Sequence, residues 1–137
     1  MKLTFVDASV LIAAARGGSE QAARALEVLD DPEREFAGSA FLRLEVLPQA
    51  RFNKREAETA FYEAFFAAVT KWAADLPGVA EAALREASTH GVEAMDALHV
   101  AAAAAVGASE LVTTEKPSRS IHRARAVKVV TLHPAAK

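Results

Sequence analysis

The chain has 137 residues, 52 % of them apolar, a formal net charge of −2 and no cysteine. That length suits one domain with its own core, expected over residues 1–137, and the missing cysteines exclude a disulfide framework, thiolate chemistry and a Cys-ligated zinc site. The charge is uneven: residues 1–115 hold ten Lys/Arg and eighteen Asp/Glu, residues 116–137 six Lys/Arg and no acid. A basic end on an acidic body is one way to meet nucleic acid, although on charge alone a solvated surface strand and tail account for it better.

The first residues have a faint likeness to a secretion signal, but Asp7 interrupts the apolar run and the stretch 10–15 is short for a signal core. No segment has the apolar length needed to span a bilayer. A soluble, cytoplasmic protein without a membrane partner is expected.

Leu3 to Val6 is a short apolar run rich in β-branched and aromatic residues and predicts a buried strand. A short helix is expected over 10–15, stopped by Gly17 and Gly18. Ser19 is a good N-cap for a helix from Glu20 to about Leu29, with Ala22, Ala25, Leu26 and Leu29 at helical spacing. Asp31-Pro32 marks a turn, and residues 35–38 are assigned to a second strand. Ser39 is placed as the cap of a third helix carrying Leu42, Glu45 and Val46, which Pro48 should end or kink. One long helix is expected from Lys54 to Asp75, with Ala57, Phe61, Ala64, Phe65, Ala68 and Trp72 as a single apolar stripe. Tyr62 and Phe66 widen that stripe, and the excess could form a groove for a partner helix or a second copy.

Pro77 suits the first turn of the next helix, which should run to about His90 and stop at Gly91. Residues 95–106 are almost wholly apolar and predict a buried helix closed by Gly107. A strand at 110–113, a loop or short helix at 116–125 and a last strand at 127–132 complete the chain. Strands separated by helices imply an α/β fold with a parallel sheet covered on both faces.

Four acids stand at the ends of these apolar elements or inside them. Asp7 follows the first strand directly, and Glu45 lies between Leu44 and Val46. Asp96 is the only charged residue between Ala94 and Ala105, and Glu115 comes just past Leu111-Val112-Thr113. Acids in such places are costly to bury without partners. Ligand sites in open α/β sheets lie beyond the carboxyl ends of the strands, where Asp7 and Glu115 would fall. Converging carboxylates repel one another, and a hard divalent cation such as Mg²⁺ or Mn²⁺ relieves that repulsion and activates water for attack on a phosphodiester. Each acid also has an ordinary structural role open to it: Asp7 or Asp96 as a helix cap, Glu45 paired with Arg43 or another base, Glu115 as a turn acid.

The segments around these acids resemble a known family. Val6-Asp7-Ala8-Ser9 followed by Val10-Leu11-Ile12 is similar to the opening of PIN domains. Asp96-Ala97-Leu98-His99-Val100-Ala101-Ala102-Ala103 is similar to their central acidic helix, and Leu111-Val112-Thr113-Thr114-Glu115 to their strand ending in Thr-x-Asp. Ser39 with Leu44-Glu45-Val46 corresponds to the segment supplying the second acid. The likeness covers essentially the whole chain in the same order.

The resemblance implies a PIN-like three-layer α/β/α sandwich around a central parallel sheet. It makes Asp7, Glu45, Asp96 and Glu115 the catalytic acids, with Asp7, Asp96 and Glu115 holding Mg²⁺ or Mn²⁺ and Ser9 and Thr113 as supporting hydroxyls. It further implies a metal-dependent endoribonuclease like the VapC-type toxins of VapBC toxin–antitoxin pairs, with RNA, a VapB-like antitoxin and a second copy of the chain as partners. The alternative is a weak or inactive PIN-like scaffold that binds RNA or a protein. One departure feeds that alternative: the family's fourth acid is usually Asp, and the extra methylene of Glu115 moves its carboxylate by about 1.5 Å.

Arg119, Arg123 and Arg125, with Lys128, are the expected contacts to RNA phosphates, unless Arg119 or Arg123 pairs with the acids. His99 is assigned to the core as a satisfied buried side chain. His90, His122 and His133 lack metal-ligand spacing, and no Gly-rich phosphate loop or Gly-x-Ser-x-Gly elbow is present.

Overall fold

The computed structural model describes residues 1–134. Five parallel strands form one sheet in the order β3-β2-β1-β4-β5. They are β1 (Lys2–Val6), β2 (Arg34–Gly38), β3 (Lys71–Trp72), β4 (Glu110–Thr113) and β5 (Val129–Thr131). Phe5 and Val6, neighbours on β1 that point to opposite faces, are both fully buried, as a central strand covered on both sides requires.

Six helices cover the sheet: α1 (Ala8–Arg16), α2 (Glu20–Leu29), α3 (Ala40–Phe52), α4 (Glu56–Ala68), α5 (Leu76–His90) and α6 (Ala94–Ala105). Parallel strands are joined by right-handed crossovers. The chain steps from β1 outward to β2 and β3 and then returns past β1 to β4. That reversal puts α1–α4 on one face and α5–α6 on the other, giving three layers. Accordingly α1 packs on α2, α3 and α4, and α6 packs closely on α5. The strand order reverses between β1 and β4, so the carboxyl ends of these two strands form the switch-point crevice where α/β sheets place ligands.

Local chemistry explains most boundaries. The Ser19 and Ser39 hydroxyls accept from the backbone N–H groups of Ala22 and Leu42 and cap α2 and α3. Asp75 caps α5 through the Gly78 N–H, and Gly91, with φ of +69°, closes it in the left-handed conformation. A short 3₁₀ turn at Ser120–Arg123 lies between β4 and β5.

Four expectations need correction. Of the end or kink expected at Pro48, the end does not occur: α3 continues to Phe52. The bond lost at Pro48 frees the Leu44 carbonyl on a solvent-facing side of the helix, since both residues are exposed. Val46, Leu47 and Ala50 meanwhile hold the last turns to the core. The long helix expected over 54–75 stops at Ala68. Val69 and Thr70 are β-branched, and Lys71 and Trp72 pair with Ala37 and Gly38 as a short edge strand that the periodicity does not reveal. A Cβ at Gly38 would lie 3.3 Å from the Trp72 ring, a tight contact on this edge of the sheet. The buried face of α4 is also displaced by one position. Tyr62 and Phe66 are buried, Phe61 and Phe65 are partly covered, and Ala57, Ala64 and Ala68 are exposed. The last strand is shorter than the expected 127–132.

Candidate active site

Asp7 leaves β1 where the backbone turns into α1. Its amide nitrogen still bonds to the Val112 carbonyl of β4 at 3.1 Å, so the residue is fixed to the centre of the sheet. Its carboxylate accepts from the Ser9 hydroxyl at 2.5 Å and caps α1 through the Val10 N–H at 3.4 Å. Ser9 in turn accepts from the Thr114 N–H at 2.9 Å and lies 3.4 Å from the Thr113 hydroxyl, which accepts from the Glu115 N–H. Ser9 and Thr113 therefore tie the ends of β1 and β4 together. The loop after β4 is held again at the Glu115 carbonyl, which meets the Thr131 hydroxyl at 2.6 Å and a ring nitrogen of His122 at 3.0 Å.

Asp96 stands in the first turn of α6 and Glu45 in the middle of α3. The structure brings Asp7, Glu45, Asp96 and Glu115 to one cavity of about 180 Å³, together with Ser9, Ile12 and His99. Asp7 is buried, Asp96 partly so, and Glu45 and Glu115 are more open.

The electrostatics of the two ends of the sheet differ. At the amino end of β4, Glu110 is as buried as Asp7, and burial alone would raise its pKa. Bonds and charges from Lys2 at 3.1 Å and Arg34 at 3.4 Å outweigh burial and hold it below its ordinary value. At the carboxyl end no lysine or arginine among the described residues pairs with Asp7 or Asp96. Burial pushes the Asp7 carboxyl up against the opposing hydrogen bonds from Ser9 and Thr113 and the nearby His99. Asp96 is pushed up to about 6, first by burial, then by the negative charges of Asp7 and Glu93, against some relief from His99. Buried acids without cationic partners in a concave site are the usual mark of a functional centre.

Two of the expected residues have structural partners. Arg119 reaches back to the acids, 3.7 Å from the Glu115 carboxylate and 4.0 Å from that of Glu93. Arg123 donates to the carbonyls of His90 and Gly91 and so closes the end of α5. Arg125 is exposed, with its backbone N–H on Glu86. The part of the basic end beyond residue 134, which includes Lys137, lies outside the described residues.

His99 is more than the satisfied core residue expected of it. Its Nε2 lies 2.5 Å from the Glu45 carboxylate, while its Nδ1 is buried with no partner among the described residues. Nothing local in the sequence signals this pairing, because its two members sit on different helices.

The donor set suits a hard divalent cation: carboxylate oxygens, no sulfur, and, for Asp7 and Asp96, no lysine or arginine paired with them among the described residues. Among the described residues no three acid or imidazole groups already stand close enough together to hold an ion.

Among solved structures the chain is similar to VapBC2 from Rickettsia felis bound to a promoter DNA fragment, with a TM-score of 0.69 at 13 % identity over 94 % of this chain and 98 % of that one. A toxin–antitoxin complex from Klebsiella pneumoniae gives 0.68 at 22 % identity over 93 % and 96 %, and DNA-bound VapBC from Salmonella typhimurium 0.66 at 16 % over 96 % and 98 %. At these identities the likeness shows a shared fold. No curated protein sequence matches the chain. The PIN domain family matches over residues 4–121. Because that match runs from the middle of β1 to the 3₁₀ turn and takes in every acid of the cavity, the chain belongs to the PIN domain family.

Proposed function

We propose that the chain is a divalent-metal-dependent endoribonuclease and the toxin of a type II toxin–antitoxin pair. The observation that carries this reading is the contrast between the two ends of the sheet. The acid at the amino end is neutralised by Lys2 and Arg34, whereas Asp7 and Asp96 share a cavity and neither pairs with a lysine or arginine among the described residues. Family membership supports it, since PIN domains are generally nucleases.

In this reading Asp7, Asp96 and Glu115 hold Mg²⁺ or Mn²⁺. Such an ion lowers the pKa of bound water and stabilises charge developing on phosphate. Asp7 is the fixed member, anchored by Ser9 and by the sheet. Glu45 positions the attacking water, whose proton passes to solvent as its oxygen bonds to phosphorus. The bond to the leaving oxygen breaks, and that oxygen takes up a proton from solvent. Arg119 and Arg125 meet RNA phosphates, with Arg119 exchanging Glu115 for the substrate; Arg123 is already engaged at α5.

The partners follow from the relatives. The solved structures named above are VapBC or toxin–antitoxin complexes, so a VapB-like antitoxin is proposed here. A groove of about 610 Å³ bordered by Leu29, Phe36, Phe61 and Phe65 offers an apolar surface to it or to a second copy in a homodimer.

One observation favours a second reading, a scaffold that binds RNA or protein without cutting: Glu115 stands in place of Asp and already faces Arg119. Incubating the purified chain with a mixed RNA pool, with Mg²⁺, Mn²⁺ or a chelator, separates the two. A nuclease yields products only with metal, and Asp7→Asn and Asp96→Asn abolish them. Asn retains the capping role of Asp7, so the fold survives. Binding without products from the folded chain would leave the scaffold, and cleavage by Asp7→Asn would remove that residue from the chemistry.

A further inference from the structure

The His99–Glu45 contact asks for a reason that packing does not supply. His99 is 1 % exposed and lies against Phe5, ring centroids 6.0 Å apart. An apolar side chain would fill that place without leaving a polar atom unpaired, yet the imidazole leaves Nδ1 with no partner among the described residues. What the ring contributes is its Nε2, 2.5 Å from Glu45 Oε1. An ionised carboxylate only accepts, so Nε2 is the nitrogen that carries hydrogen. Among the described residues no hydrogen bond engages Glu45 Oε2.

Glu45 itself has little else to hold it. It projects from α3 at 37 % exposure, and a glutamate in that setting moves among several rotamers. His99 sits on α6 three residues after Asp96, on the same side of the helix. One turn of α6 therefore supplies both a cavity acid and the group that fixes the acid of another helix.

We propose that His99 is a positioning residue: its Nε2–H holds Glu45 Oε1 in one orientation and leaves Oε2 as the oxygen that acts on the cavity. This rests on the nuclease reading for its catalytic consequence, but the contact itself can be tested without cleavage. His99→Leu keeps apolar volume and loses the donor; in His99→Gln the amide nitrogen occupies the place of Nε2. With Mn²⁺ and RNA, kcat of His99→Leu should fall about 10- to 100-fold, the range usual for groups that orient active-site ligands. KM and Tm should change little, and His99→Gln should recover most of the loss. In a Glu45→Gln background His99→Leu should cost little more, because the two act as a unit.

Ring ¹⁵N resonances of His99 in chelator should show hydrogen on Nε2, and Glu45→Ala should shift that signal. Full kcat in His99→Leu, or equal loss in the Leu and Gln variants with a fall in Tm, would overturn the positioning role. If the wild-type chain cuts nothing, the nuclease reading fails by itself. The inference then stands or falls on the resonance, and an Nε2 signal indifferent to Glu45→Ala refutes it.

Discussion

The carboxyl of Asp96 shows how a cluster of unpaired acids is stored as lost stability. Its pKa is raised from an ordinary 3.8 to about 6, first by burial and then by Asp7 and Glu93. Between these values the folded chain keeps a proton that the unfolded chain has released. Stability therefore falls as pH climbs from about 4 to 6; the penalty is fully present above 6 and absent below 3.8. Asp96→Asn should remove it. Discounted for a partly exposed group, the gain above pH 7 is about 1 kcal/mol, on the order of 4 °C in a chain of this size. Thermal melts in chelator should show the variant above wild type at pH 8 and level with it at pH 3.5. A variant less stable than wild type at pH 8 would contradict the unpaired charge assigned to Asp96. Glu110 has the opposite sign and shows that burial alone does not decide the direction: with Lys2 and Arg34 beside it, its charge is held below the ordinary range.

Among the elements, what the sequence makes legible is what repeats or caps. The Ser19 and Ser39 caps, the Gly91 stop and the apolar face of α6 all lie where spacing and cap chemistry predict them. Two failures share one cause, the dominance of tertiary packing over a local rule. A two-residue strand has no period to read, so Lys71 and Trp72 extend the helical pattern until the edge of β2 is seen to pair with them. Pro48 breaks the bonding pattern of α3 but not the helix, because Leu42, Val46, Leu47 and Ala50 are buried on either side of it. The cost should nonetheless be measurable. Pro48→Ala restores an N–H for the Leu44 carbonyl at an exposed position and should raise stability by about 1–3 kcal/mol, read as a higher urea midpoint at unchanged slope. No gain would mean that α3 already satisfies that carbonyl in another way. At the site, the acids were legible from their placement at the ends of apolar elements. The link between Glu45 and His99 was not, since it depends on how α3 meets α6.

In the whole molecule, one topological fact assembles the site. The sheet order turns back between β1 and β4, so Asp7 and Glu115 end adjacent strands, and α3 and α6 meet above them to bring Glu45 and Asp96. The charge asymmetry is likewise drawn into the fold. Arg119 faces Glu115, and Arg123 closes α5, so this part of the basic segment packs on the acidic body. Among the described residues no helix is long and apolar enough to cross a membrane. If Asp7 and Asp96 form one cation site, calorimetric titration of the RNA-free chain with Mn²⁺ reads it directly. Binding should be saturable in the wild-type chain and lost, or weakened by about 10-fold or more, in both Asp7→Asn and Asp96→Asn, with their melts still cooperative. Mn²⁺ binding of wild-type strength in either variant would contradict it.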